Sequence, residues 1–202
     1  MRKNLGRVLV VLGLLLVLIA GGLYAHNQWE DQQAGAEAKQ VAQALEHKLA
    51  ERNDTDSSEL LSPELPAVEL DGDEYVGTIA IPTISIDLPV MKDWSYPKLK
   101  IAPCRQFGSS RTNDLVIAAH NYESHFGKIG TLVAGDKVIF TDMDGIENDY
   151  VVDKVEVLAP TEVDAVEHSG YDLVLYTCTY GGKTRIVVFC NRSTSADTAQ
   201  LN

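Results

Sequence analysis

Seven short segments rich in β-branched residues constrain the fold of this chain more than any other feature. They are five to nine residues long and are separated by Gly, Pro, Asn and Asp, a pattern typical of strands joined by turns. We predict strands at residues 76–81, 84–91, 115–119, 137–141, 150–158, 173–178 and 185–190. Helical turns are predicted at 127–132 and 163–168. The segment 75–202 is therefore predicted to be one mainly β domain, a sandwich or a barrel.

The N-terminus carries a single long apolar run. Arg2, Lys3 and Arg7 precede an uncharged stretch at residues 8–23, and basic residues beside a membrane span favour the cytoplasmic side. We therefore predict a cytoplasmic tail at 1–7, a transmembrane anchor at 8–24, and an extracellular location for the rest. A cleaved signal peptide is the alternative, but bulky Leu23 stands where a cleavage site needs a small residue.

Residues 25–74 are predicted to connect the anchor to the β domain. Ala38, Val41, Leu45 and Leu49 recur at helical spacing, which predicts a solvated helical stalk at 29–52, with a dimerising coiled coil as the alternative. Residues 53–74 contain eight acidic residues and no basic one. This composition predicts a flexible linker, the alternative being a regulatory segment that lies over a cleft.

The overall charge excludes one class of partner. The formal net charge is −12, and three of the 17 basic residues belong to the N-terminal tail. A surface this acidic argues against binding to nucleic acid or to an anionic membrane face. We predict no nucleic-acid partner.

Two of the predicted strands end next to residues that can carry acyl-transfer chemistry. His120 follows the strand at 115–119, and Cys178 ends the strand at 173–178. A thiol and an imidazole can form a nucleophile and base pair if the two strands are neighbours. The histidine precedes the cysteine by 58 residues, the reverse of the order in papain-like proteases.

The same segments resemble the sortases. The resemblance rests on Tyr75-Val-Gly-Thr-Ile-Ala-Ile-Pro, Asp87-Leu-Pro-Val, Asp114-Leu-Val-Ile-Ala-Ala-His-Asn-Tyr, Gly135-Asp-Lys-Val, and Leu175-Tyr-Thr-Cys with the later Arg185-Ile-Val-Val. It implies an eight-stranded β-barrel with short helices behind an N-terminal transmembrane helix and a stalk. It also implies a membrane-bound cysteine transpeptidase of mainly Gram-positive bacteria.

The resemblance assigns three catalytic residues. Cys178 matches the nucleophile, whose thiolate form needs a nearby cation because a thiol normally has a pKa near 8.5. His120 matches the general acid and base. Arg185 matches the arginine that binds substrate carbonyls or the oxyanion, whereas Arg192 lies past the predicted strand and is the weaker candidate.

Four further residues are predicted to contact substrate. Thr177 precedes the nucleophile, and its hydroxyl can donate to a substrate backbone or to the oxyanion. Asn121 and Tyr122 follow the histidine, where they can orient its ring or line a cleft. Tyr180 lies two residues after Cys178. An acidic residue that some sortases carry shortly after the cysteine is missing here.

No cofactor is predicted. The His and Cys residues lack the spacing of zinc ligands, and His125 is expected to lie in the loop after the strand. A calcium site is a possibility that we do not predict, built from the acidic side chains Asp142, Asp144, Glu147 and Asp149. Cys104 and Cys190 can pair as a disulfide, but we favour two unpaired thiols.

The predicted reaction cleaves an LPxTG-like C-terminal sorting signal of a secreted protein and passes the thioacyl group to an amine of a peptidoglycan precursor. Pilin polymerisation is the alternative. Enzymes of that kind usually add a C-terminal hydrophobic anchor and an Asp-Pro-aromatic lid, which this sequence lacks, so a class A, D or E type is favoured over B or C. An L,D-transpeptidase and a non-catalytic wall-binding β-domain are the other readings.

Overall fold

The computed structural model describes residues 2–51 and 62–193. Three helices are present in these ranges: α1 Arg2–Glu51, α2 Tyr96–Leu99 and α3 Asp164–Glu167, with 3₁₀ turns at Pro82–Ile84 and Ile129–Thr131. The strands are β1 Val68–Leu70, β2 Asp73–Ile81, β3 Ile86–Met91, β4 Cys104–Phe107, β5 Leu115–Ala118, β6 Lys137–Asp142, β7 Glu147–Leu158, β8 Leu173–Cys178 and β9 Arg185–Arg192.

Eight of these strands form a closed barrel, in the order β2-β3-β4-β5-β8-β9-β7-β6. Pairing between β2 and β6 closes the ring, and β1 pairs with β2 as the outer strand of a hairpin. The prediction of an eight-stranded β-barrel is confirmed. Most neighbours are antiparallel, but β5 and β8 run parallel, which matters for the site because parallel strands end at the same edge of a sheet.

The barrel interior is filled by side chains that alternate along the strands. In β7, Asn148, Tyr150 and Val152 point inward and are buried, while their neighbours are more exposed. Gly77 lies at the β2–β6 seam, where an added Cβ would come within 2.3 Å of the Thr141 carbonyl oxygen. A glycine there lets the two strands approach closely enough to close the barrel.

The strand predictions differ from the structure at the ends of several strands and in two strands that were missed. Residues 84–85 belong to the turn before β3, where Ser85 adopts a left-handed conformation with φ of 56°. The short strands β1 and β4 were not predicted. Because β1 and the start of β2 lie within residues 62–74, the flexible-linker prediction is wrong for that part, and residues 53–61 lie outside the described residues.

The chain separates into two compact units, one up to Gln33 and one from Ala34. In the first unit α1 exposes its apolar side chains, and an 18-residue window has a mean hydropathy of 2.7. The predicted N-terminal apolar helix is therefore present, with the length and composition to cross a membrane. Its orientation stays a prediction.

The part of α1 that belongs to the second unit is not a solvated stalk. Ala38 and Leu45 are fully buried. Ala38 packs with the barrel core, and Leu45 packs with Tyr75, Met91 and other side chains of a second apolar cluster. The helical prediction holds for this segment, but the prediction that it is solvated is wrong.

Candidate active site

The register of β5 and β8 brings the predicted base and nucleophile together. Ala118 pairs with Tyr176 in this parallel ladder, and the backbone N–H of Ala119 donates to the Tyr176 carbonyl at 3.2 Å. Continuing the same register by two residues sets His120 beside Cys178. The two strands are therefore neighbours, which is the condition for a thiol–imidazole pair.

A side-chain hydrogen bond ties the two strands together directly before these residues. Thr177 Oγ1 donates to the Ala119 carbonyl oxygen at 2.9 Å. Thr177 is 1% exposed, so its hydroxyl is directed into the protein and not towards a substrate. The bond fixes the relative position of the two residues that precede the base and the nucleophile.

The turn after His120 is tight. The backbone N–H of Phe126 donates to the His120 carbonyl at 3.2 Å, and that of Gly127 donates to the Tyr122 carbonyl at 2.8 Å. A Cβ added at Gly127 would lie 2.7 Å from the Tyr122 carbonyl oxygen, so a larger residue would push the turn apart. The sequence His120 to Gly127 thus encodes a compact turn that holds the histidine.

Tyr122 folds back onto the imidazole within this turn. The ring centroids of His120 and Tyr122 are 3.9 Å apart with an interplanar angle of 31°, and Tyr122 is buried. The contact restricts rotation of the imidazole ring. Asn121, between them, is half-buried.

Arg185 lies opposite the nucleophile on the adjacent strand. Cys178 and Arg185 are directly paired in the antiparallel β8–β9 ladder. The guanidinium donates through Nη1 to the carbonyls of Gly182 and Thr184, both at 3.1 Å. The thiol, the imidazole and a guanidinium therefore belong to three adjacent strand ends.

Arg192 is at the other end of β9. It is seven residues from Arg185, about 23 Å along an extended strand. Its guanidinium donates to the side chains of Asn113 at 3.0 Å and Asn148 at 2.6 Å. These contacts are structural, and the expectation that Arg192 lies past the strand is wrong, because β9 ends at Arg192.

A groove of about 310 Å³ adjoins the paired strand ends. Tyr176 and Cys178 alternate with buried Thr177 and so share the outer face of β8. Tyr180 follows them and is 96% exposed. The groove is lined by Trp94, Gln106, Leu158, Ala159, Pro160, Glu162, Val163, Val166, Tyr176, Arg185 and Val187.

Several lining residues have no sequence signal. Trp94 and Gln106 come from loops and strands that precede His120, and neither stands in a recognisable motif. Their relation to the site becomes visible once the barrel is closed, because β4 then lies next to β5.

All three cysteines lie in the described residues, and all are free thiols, as favoured from the sequence. Burial raises the pKa of Cys104 to about 12 and also raises the pKa of Cys190. A thiol that stays protonated is a poor nucleophile. Cys178 is partly exposed, so it is the cysteine accessible to a substrate.

Three of the four acidic residues considered for calcium are engaged by cationic side chains. Arg111 binds Asp142 at 3.0 Å and Asp144 at 2.5 Å, and Lys137 binds Asp149 at 3.0 Å. Within residues 2–51 and 62–193, no group of three or more His, Cys, Asp or Glu side chains has a geometry that could hold a metal ion.

A partly exposed thiol and an imidazole at the ends of adjacent parallel strands, with a guanidinium opposite the thiol, define a cysteine acyltransferase site. A sequence model described as the Sortase domain matches residues 79–193. Sortase A of Bacillus anthracis is 28% identical over 187 residues, covering 87% of this chain and 89% of its own length. The chain belongs to the sortase family of cysteine transpeptidases.

Solved structures support the same fold. A Clostridium perfringens Sortase D5 transpeptidase has a TM-score of 0.63 at 19% identity, covering 79% of this chain and 99% of its own. Sortase C of Streptococcus pneumoniae has a TM-score of 0.62 at 20% identity, covering 77% and 97%.

Proposed function

We propose that this chain is a membrane-anchored transpeptidase that cleaves an LPxTG-like sorting signal of a secreted protein and transfers the protein to an amine of a peptidoglycan precursor. The observation that carries the proposal is the parallel β5–β8 register, in which Ala118 pairs with Tyr176; extending it by two residues supports a pairing of His120 with Cys178. The adjoining groove is partly apolar, which supports binding of a peptide.

The first half-reaction forms a thioester. The Cys178 thiolate attacks the scissile carbonyl carbon, and a C–S bond forms while the carbonyl oxygen becomes an oxyanion. Arg185 donates hydrogen bonds to this oxyanion or to a neighbouring substrate carbonyl. The C–N bond then breaks, and the leaving amine takes the proton of the His120 imidazolium.

The second half-reaction transfers the acyl group. The acceptor amine attacks the thioester carbonyl and gives its proton to the now neutral His120. The C–S bond breaks, the thiolate leaves, and the thiolate–imidazolium pair is restored. One histidine thus serves as acid in the first step and as base in the second.

We assign different roles to the four predicted substrate contacts. Thr177 acts as a positioning residue, because its hydroxyl binds the Ala119 carbonyl. Tyr122 also positions, since it stacks on His120. Asn121 and exposed Tyr180 keep the predicted role of contacting the peptide or the acceptor near the strand ends.

The membrane topology follows from the charges beside the apolar helix. Arg2, Lys3 and Arg7 precede it, which supports a cytoplasmic N-terminus and an extracellular barrel. Substrates are then secreted proteins, and the acceptor amine comes from the wall precursor.

Mass spectrometry of the full chain in detergent, incubated with an LPxTG-type peptide, tests the proposal. We expect a thioacyl adduct on Cys178 that moves to an added amine, with none in Cys178→Ala. Cys104→Ala is the matched control and should form the adduct normally, because Cys104 is buried elsewhere. A folded, reduced enzyme that forms no adduct with any of a panel of sorting peptides would contradict the proposal.

The choice of amine separates wall anchoring from pilin polymerisation. Wall anchoring predicts faster transfer to a peptidoglycan cross-bridge amine than to a lysine-bearing pilin peptide. The reverse preference would favour polymerisation while leaving the transpeptidase mechanism intact.

A further inference from the structure

A β-bulge in β4 directs an amide side chain towards the groove. In the β4–β5 ladder, Arg105 pairs with Ile117 and Phe107 pairs with Val116, which leaves Gln106 as an extra residue. Bulges of this kind redirect a side chain and are enriched next to active sites. Gln106 lines the groove together with Tyr176 and Arg185.

The Gln106 amide joins two other elements. Its Oε1 accepts a hydrogen bond from the Tyr176 hydroxyl, and its Nε2 donates to Glu167 Oε1 at 3.0 Å. An ionised carboxylate cannot donate, so the NH₂ group must face Glu167 and the oxygen must face Tyr176. Burial raises the pKa of Tyr176, which keeps the phenol protonated as the donor.

This bridge connects the floor of the groove to its wall. Tyr176 is on β8, two residues before the nucleophile, and Glu167 is on α3. Ala118 of β5 is the residue paired with Tyr176, and its small side chain leaves room for the hydroxyl to reach across β5 to β4.

The wall needs such an attachment because α3 is a single helical turn. A helix of four residues is not stable by itself, and no side chain caps its N-terminus. Val166 packs into an apolar cluster on the outside of the sheet. The Gln106–Glu167 bond adds a directional contact next to Val163 and Val166, which line the groove.

We propose that Gln106 is a positioning residue that fixes the α3 wall to the groove floor and thereby sets the affinity for the sorting peptide. This inference rests on the proposed function of the groove. Gln106 does not touch the reacting atoms, so its loss raises KM for the peptide and leaves kcat and the reactivity of the Cys178 thiol unchanged.

An exchange of donor and acceptor tests the bridge. Gln106→Glu sets two carboxylates against each other, and we expect KM to rise about tenfold, since a hydrogen bond to a charged group is lost and repulsion added. Glu167→Gln alone keeps an acceptor for the Gln106 amide, so its KM should stay within about threefold of the parent value. The double variant restores one donor facing one carboxylate and should recover KM to within about threefold.

The readouts are kcat and KM with the peptide, and the pH profile of Cys178 alkylation by iodoacetamide, all on the full chain in detergent. An unchanged KM in Gln106→Glu, or a fall in kcat at constant KM, would overturn the inference. A double variant whose KM is as high as that of Gln106→Glu would also overturn it, because Gln106 would then act through its size and not through the hydrogen bond to residue 167. Should Gln106→Glu fail to fold, Glu167→Ala removes the bridge from the other end and must raise KM similarly.

The test also works if the proposed function fails. Trp94 lines the groove and becomes the sole tryptophan in a Trp29→Phe background. If the parent enzyme forms no adduct, acrylamide should still quench Trp94 fluorescence more strongly in Gln106→Glu than in the parent. In the double variant with Glu167→Gln the quenching should return to the parent value. Identical quenching in all three proteins would refute the bridge independently of peptide cleavage.

Discussion

The hydrogen bond from Thr177 to Ala119 gives the sharpest test of how the fold builds the site. Thr177→Val keeps the shape and the β-branched character of the side chain but removes the hydroxyl. The hydroxyl is buried and spans β5 and β8 at 2.9 Å. The substitution therefore removes one contact between the strands that carry the base and the nucleophile and leaves the packing unchanged.

The expected magnitude follows from that geometry. A neutral intramolecular hydrogen bond contributes about 1 kcal/mol, and a buried carbonyl that loses a partner adds a further cost. We expect the free energy of unfolding to fall by about 1–2 kcal/mol, which lowers Tm by roughly 2–4 °C per kcal/mol in a domain of this size. Because displacement of a catalytic group by 1 Å can cost a factor of about 100, a smaller loosening should lower kcat about tenfold.

Thr177→Ser is the matched control because it retains the hydroxyl. Thermal unfolding and steady-state kinetics with a fluorogenic sorting peptide are measured on both variants and on the parent. We expect Thr177→Val to lose kcat at nearly constant KM, and Thr177→Ser to stay near the parent. A rise in KM at constant kcat would refute the positioning role and support the substrate contact predicted from the sequence.

Three other perturbations test different parts of the structure. Arg111→Met leaves the fully buried side chains of Asp142 and Asp144 without their guanidinium; denaturant unfolding should show a loss of about 3–5 kcal/mol, and an unchanged stability would contradict the ion-pair assignment. Gly127→Ala forces a Cβ against the turn after His120, the proposed general base, and activity should fall more than Tm. Because the pKa of Cys104 is raised from 9.0 to about 12, the folded state holds a proton that the unfolded state loses above pH 9; this thiol alone should lower the stability by up to about 1.4 kcal/mol per pH unit, so the slope should be shallower in Cys104→Ala.

The long strands were predictable because they bury one face or both, whereas the choice of a barrel over a sandwich came from the resemblance to the sortases. The segments at 173–178 and 137–142 consist largely of β-branched and apolar residues, and the sequence predicted them within one residue. The strand β4 was not predicted because its bulge at Gln106 interrupts the alternation of side chains. The strand β1 has only three residues and lies in an acidic segment, so neither its length nor its composition indicates a strand.

The proposed pairing of His120 with Cys178 rests on a similar pattern. His120 and Cys178 each follow or end a buried apolar run, and two such runs are commonly neighbours in a small β domain. The contacts that support them were not predictable. Whether the Thr177 hydroxyl points to a substrate or into the barrel depends on the register of β5 and β8, which local sequence does not determine.

The helix that follows the apolar N-terminal run shows how residue size can mislead. The segment is rich in Ala, Gln, Glu and Lys, which predicted a solvated stalk, and its small side chains include Ala34, Ala38 and Ala42. Small residues allow close approach here: a Cβ added at Gly35 would lie 2.7 Å from the Ser124 side chain, within the turn that follows His120. An alanine-rich face can therefore mark tight packing, and here that packing reaches the loop on which the proposed general base depends.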